Sequence, residues 1–214
     1  FSNITTASNL DALTCAAGTS TSPDSIAVSY EADKFNTVPT STNEPTDCLG
    51  NPLSTITATL PTVVGAVIAN TAEPYTVADN RFYIVKSSAS SISSLYCKGS
   101  GGEPQPLVEN IEDMQFTYGA TATATTVAGY LNAEKVLTEI TLTPSPPNPE
   151  AGKWAKVLTV RICVLVRSAS PVASNAASAH YIKCDGTLET APPDLRLRRA
   201  YSTTVVLRNR LPPP

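Results

Sequence analysis

Apolar and polar residues alternate with a period of two in several short stretches of this chain, and each stretch predicts a half-buried β-strand. In residues 25–30, Ile26, Val28 and Tyr30 share one face while Ser25, Ala27 and Ser29 share the other. Residues 80–86 (NRFYIVK) predict a second strand, and the serine-rich SSASSISS that follows leads to Tyr96 and Cys97, as in an antiparallel hairpin. Met114, Phe116 and Tyr118 alternate with Gln115 and Thr117, which gives a strand an aromatic inner face and makes these three the expected structural core; Gly119 is expected to end it. Val136, Thr138, Ile140 and Leu142 have the spacing of one face of a further strand. Residues 156–167 are the longest apolar run and predict a central strand. Its uniformly apolar face (Leu158, Val160, Ile162, Val164, Val166) is expected to meet the core, and its other face carries Arg161 and Cys163. A last strand over residues 199–209 turns Tyr201, Val205 and Leu207 the same way.

Between these runs the chain is punctuated. Residues 1–24 read as an irregular lead-in, and residues 168–179 as a small-residue loop. Pro144, Pro146, Pro147 and Pro149 make a rigid connection that cannot enter a ladder. Residues 31–79 hold Pro39, Pro45, Pro52, Pro61 and Pro74, and the patch Val63, Val64, Val67 and Ile68 fits a strand or a helical turn equally, so this region is left unassigned. No amphipathic helix of convincing length and no internal repeat is visible. The expected fold is therefore mainly β, two small antiparallel sheets with long loops, in a single globular domain spanning residues 1–214.

Composition agrees. Ten glycines and eighteen prolines with only 15% charged residues suit short strands and long connections. The net charge of −3 excludes a generally basic nucleic-acid surface, although five of the eight arginines (Arg196, Arg198, Arg199, Arg208, Arg210) fall in the last 19 residues. They read either as solvent-facing charges that keep an edge strand from pairing or as an interface strip, with Arg196, Arg198 and Arg199 as the contact candidates. No run of 18 apolar residues is present.

The residues offer little chemistry. The single histidine, His180, has no nucleophile turn to serve, so a structural or surface role is expected. Glu109, Glu112 and Asp113 form an acidic cluster expected to face solvent rather than hold a cation. Tyr83, Tyr96, Tyr118, Tyr130, Tyr181 and Tyr201 could stack on carbohydrate, but their strand positions favour packing. Asn3-Ile4-Thr5 matches a glycosylation acceptor of a kind common by chance in Ser/Thr-rich sequence. No catalytic, cofactor-binding or metal-binding residue is assigned, and the chain is read as a non-enzyme. The five cysteines, without C-x-x-C or Cys/His spacing, point to disulfides and an oxidising compartment.

The order of landmarks is more specific than any one of them: DCLG at 47–50, NRFYIV at 80–85, LYC at 95–97, PLVENIEDMQFTYG at 106–119, the long apolar strand, and R-x-Y-S-T-x-V-x-L-R-N at 199–209. Over roughly residues 22–210 this resembles the PilW family of type IV pilus minor pilins. The strand around Ile111 to Phe116 is also similar to that of J-type pseudopilins of type II secretion. The resemblance implies a structural protein of the priming and tip complex of pilus assembly, with other minor pilins and the major pilin as partners and roles in twitching motility, adhesion and sometimes DNA uptake. It also implies an N-terminal helix, absent from these residues, as the only membrane contact. The expected location is the inner membrane with a periplasmic domain before assembly, and the extracellular pilus afterwards. Cys48 and Cys97 occupy the two positions the PilW pattern fills, so the resemblance pairs them. Cys163, mid-strand, is expected to be a free thiol, and Cys15 with Cys184, both in turn-rich surroundings, to be the second pair, though spacing does not fix connectivity. A J-type pseudopilin and a tip adhesin using the loops at 87–102 and 168–179 are the rival readings, and a secreted hydrolase is a third.

Overall fold

The computed structural model describes residues 22–64, 67–87, 91–100, 102–121, 127, 129–142 and 147–210, without the side chains of 58–73 and 209. The fold is mainly β and antiparallel. The chain divides into two compact units, one built from residues 25–109 and the other from residues 22–24 and 110–210.

In the first unit, β1 (Ile26–Glu31), β3 (Val67–Lys86), β4 (Ser93–Lys98) and β5 (Gln105–Glu109) lie in that order, and β2 (Thr55–Val64) also pairs with β3. The 20-residue β3 is shared along its length: its first half pairs with β2 (Val64↔Val67 to Thr55↔Thr76), its middle with β1 (Glu31↔Val77 to Ile26↔Phe82) and its end with β4 (Arg81↔Lys98 to Lys86↔Ser93). The region that sequence left unassigned thus holds a ten-residue strand and most of a longer one. Pro61 opposite Asn70 and Pro74 opposite Thr57 interrupt the strand signal without interrupting the pairing. Ala32, Leu53 and Ala78 form a small apolar core against Tyr30. On β3 the i, i+2 pair Asp79 and Arg81 points to one face and forms a fully buried ion pair at 2.6 Å.

In the second unit the four-stranded sheet has the order β11-β8-β6-β7, from β6 (Ile111–Ala120), β7 (Gly129–Leu131), β8 (Val157–Arg167) and β11 (Arg198–Val206). The long apolar run is central, as expected. Rows cross the sheet: Met114, Val164 and Tyr201 are neighbours, then Phe116, Ile162 and Thr203, then Tyr118, Val160 and Val205. β6 runs through Gly119 to Ala120; a side chain at Gly119 would collide with the Thr159 hydroxyl on β8. A hairpin of β9 (Tyr181–Ile182) and β10 (Leu188–Glu189) completes the unit.

Two expectations are corrected here. Residues 133–139 are the helix α1 (Ala133–Glu139), not a strand. The Asn132 side chain accepts the Lys135 N–H at the N-cap, Glu134 lies in the first turn, and Lys135 pairs with Glu139 one turn on. Only Val136 of that segment is buried, and the proline-rich stretch ends in a second short helix, α2 (Pro149–Trp154), with Pro149 in the first turn. The second correction concerns β8. On the mixed face Val157, Thr159, Cys163 and Leu165 are buried and Arg161 is exposed, whereas on the apolar face Leu158 is buried and Val160, Ile162, Val164 and Val166 are half-buried, so both faces are covered in part. The mixed face is the one to which Cys163 tethers the chain segment beyond β8.

Candidate interaction surface

The two cross-links fix the local frame of each unit. In the first, the Asp47 carboxylate accepts the N–H groups of Leu49 and Asn51, curling the DCLG segment into a tight turn, and the Asn80 side chain accepts the Cys48 N–H. This brings Cys48 to Cys97, which sits opposite Phe82 on β4, and the two are disulfide-bonded. In the second, Cys163 bonds Cys184 across a separation of 21 residues. Cys163 is therefore not a free thiol and Cys184 does not pair with Cys15, which lies outside the described residues, as do Phe1 and the Asn3 acceptor.

At one end of the second sheet, Arg198 leaves β11 pointing inward. Its Nε and Nη2 donate to both oxygens of Glu112 at 2.6 and 3.1 Å, and its Nη1 donates to Asp194 at 2.7 Å and to the Arg196 carbonyl at 3.1 Å. Arg167 donates to Glu112 at 3.3 Å, and its Nε donates to the Asn110 side chain, whose left-handed φ of 64° asparagine tolerates. Arg196 holds the other oxygen of Asp194 at 2.9 Å, and Arg198 lies over the Tyr181 ring, 5.5 Å from its centroid. Hydrogen bonds from Arg198 keep the Asp194 carboxyl well below the usual carboxylate range, whereas burial pushes the Tyr181 phenol up.

The candidates from the arginine-rich ending therefore separate. Arg198 is buried with its guanidinium inside the network and is not available to a partner; Arg196 is half-buried on Asp194; Arg199 is exposed over Tyr201. Glu112 likewise is half-buried and paired with two arginines, Asp113 accepts from the Met114 N–H and the Gln115 side chain, and Glu109 is exposed. The alternation of β6 does not reveal the Glu112–Arg198 pairing, because the two residues are 86 apart in sequence and meet only through β8. His180 is exposed at the end of a single 3-10 turn.

The tyrosines pack within the protein: Tyr83 stacks with Tyr96 at 6.2 Å, Tyr118 meets Trp154 edge-on at 4.8 Å, and Tyr130 lies under Arg161 at 3.6 Å. Tyr130 is nevertheless exposed at its edge, and Tyr201 is more exposed still, at 53%. On the face that carries it, burial falls steadily across the sheet. Met114 and Phe116 on β6 are buried, the facing β8 residues are half-buried, and Tyr201, Thr203 and Val205 on β11 are exposed. Asp24 supports the β6 side, where its N–H donates to the Met114 carbonyl and its carboxylate accepts the Phe116 N–H. Burial raises the Asp24 pKa against the opposing effect of that amide.

Each unit is thus a disulfide-braced antiparallel sheet, and in the second the nine-residue β11 is an exposed edge strand. The family described as Type IV Pilus-assembly protein W (PilW) matches residues 81–209, more than half of the chain, and the chain belongs to that family. It is thus a component of type IV pilus assembly. No curated protein and no solved structure matches it. Among the described residues, no helix is long and apolar enough to cross a membrane.

Proposed function

We propose that this chain is the globular part of a structural minor pilin that joins the priming complex of the type IV pilus at or near its tip. It works through contacts with other minor pilins and the major pilin, and not through catalysis. The observation that carries this reading is the exposure of Tyr201, Val205 and Val206, at 53%, 47% and 47%, along a strand inside the family-matched residues. Apolar and aromatic groups held rigidly at a sheet's open side suit recognition of another protein. The two disulfides agree with a periplasmic domain before assembly and an extracellular one after it.

The test is a deletion strain complemented with wild type or with His180→Ala, scored for surface pili, beside a pull-down of the purified domain with each other minor pilin of the same pilus. Wild type and His180→Ala should both restore piliation, and the domain should retain at least one minor pilin. Normal piliation in the deletion strain, or restoration by wild type but not by His180→Ala, would refute the reading.

A further inference from the structure

The hydrogen bonds at the two ends of β11 fix which way its backbone points. Ser168 N–H donates to the Leu197 carbonyl at one end and Leu207 N–H donates to the Leu158 carbonyl at the other, with no register shift between them. Residues 199, 201, 203 and 205 therefore exchange their hydrogen bonds with β8, and the N–H and C=O groups of Ala200, Ser202, Thr204 and Val206 point away from the sheet. Among the described residues those outward groups meet no donor or acceptor. Most other edges are blunted or short: β2 contains Pro61, β5 contains Pro106 beside a register shift, β7 is three residues long, and β1, also at an edge, has only six residues. β11 runs nine residues with neither proline nor bulge, and residues 201–206 are all exposed.

Charge says what fits this edge. Its centre, Ala200 to Val206, is uncharged, Arg199 stands exposed at its start and Arg208 and Arg210 at its finish, and no acidic residue occurs from Leu195 to Pro214. A second copy pairing antiparallel would set the Arg208 end of each chain beside the Arg199 end of the other, twice over, which disfavours self-association. We propose that the outer edge of β11 is a strand-acceptor site for an extended segment of another protein, neutral and β-branched at its centre and acidic on both flanks. This deepens the pilus-assembly reading and rests on it, since the donor would be another pilus subunit.

The test uses the full chain and two synthetic nine-residue peptides, Glu-Glu-Val-Thr-Val-Thr-Val-Glu-Glu and its counterpart with lysine at the four flanking positions. Fluorescence anisotropy should show the acidic peptide binding at least about tenfold more tightly than the lysine peptide, with binding weakened by added salt. Hydrogen exchange should slow at the amides of Ala200, Ser202, Thr204 and Val206. Thr204→Pro removes an outward N–H without touching the ladder to β8 and should abolish binding. Arg199→Glu with Arg208→Glu, both exposed, should weaken binding of the acidic peptide by about tenfold or more in a chain whose fold is unaltered. Equal binding of the two peptides, no binding, or exchange protection elsewhere would overturn the proposal. So would self-association of the wild type that Thr204→Pro relieves, because the occupant would then be a second copy. The two readings fail separately. A chain that binds the acidic peptide but whose deletion leaves piliation normal loses the pilus role, whereas loss of pili on deletion without peptide binding loses only the acceptor edge.

Discussion

Two neighbouring arginines, Arg198 and Arg199, should respond to the same substitution in opposite ways. The Arg198 side chain is 1% exposed and makes two hydrogen bonds to Glu112, one to Asp194 and one to the Arg196 carbonyl. Breaking a fully buried ion pair by removing one partner costs about 3–5 kcal/mol, because the remaining charge is stranded. Here the stranding is incomplete. Glu112 keeps Arg167, Asp194 keeps Arg196, and the two carboxylate side chains are 21% and 27% exposed, so water can reach them. Arg198→Ala should therefore cost about 2–4 kcal/mol, whereas exposed Arg199→Ala should stay within about 0.5 kcal/mol. Urea denaturation at pH 7, followed by circular dichroism, reads both as midpoint shifts at constant slope. A cycle with Glu112→Gln should return a coupling of about 1–3 kcal/mol for Arg198 and none for Arg199. Equal costs for the two arginines, or a loss under about 1 kcal/mol for Arg198→Ala, would refute the placement of the Arg198 guanidinium inside the network.

Three further outcomes are expected. Non-reducing peptide mapping should recover Cys48 linked to Cys97 and Cys163 linked to Cys184, and replacing Cys163 and Cys184 together by Ser should cost about 3 kcal/mol for a loop of this length; a Cys15–Cys184 peptide would contradict it. Phe116→Ala empties a buried position on β6 and should cost about 3–5 kcal/mol in thermal or urea unfolding. The depressed Asp194 pKa means that the folded state holds this carboxylate ionised, so its contribution is present above the ordinary aspartate value of 3.8 and is lost as pH falls below it; an acid titration of Asp194→Asn should show a shallower decline below about pH 4 than wild type.

Period-two patterning located β1, the end of β3, β6, β8 and β11, because each has one face that differs in polarity from the other. It failed for α1, because the i, i+4 spacing of Val136 and Ile140 places them on one face of a strand or of a helix alike, and Asn132 with Glu134 held the deciding signal. It was silent on β2 and the start of β3, whose prolines resemble loop punctuation. Cys163 read as an apolar strand residue because nothing local reveals that chain 21 residues further on returns to it. The same limit hid the role of Arg198. Its neighbours in sequence suggest a solvent-facing strip, and only the sheet order places Glu112 within reach. The exposed character of residues 201–206 was legible only in part, since Tyr201 and Val205 alternate like core residues.

The placement of one cross-link in each unit also bears on how this chain would behave under tension. A pull along the backbone passes through sulfur at Cys48–Cys97 and again at Cys163–Cys184, bypassing the 49 and 21 residues of separation that those bonds enclose. About 170 Å and about 70 Å of extended chain are thereby withheld from stretching while the bonds remain oxidised. All of β2 and β3 and nearly all of the pairing of β3 with β4 lie inside the first shielded segment, and the end of β8 from Cys163 together with β9 lies inside the second. A stretched molecule should consequently lengthen in shorter steps when oxidised than when reduced, and much of the first sheet would keep its hydrogen bonds while the rest of the chain paid out.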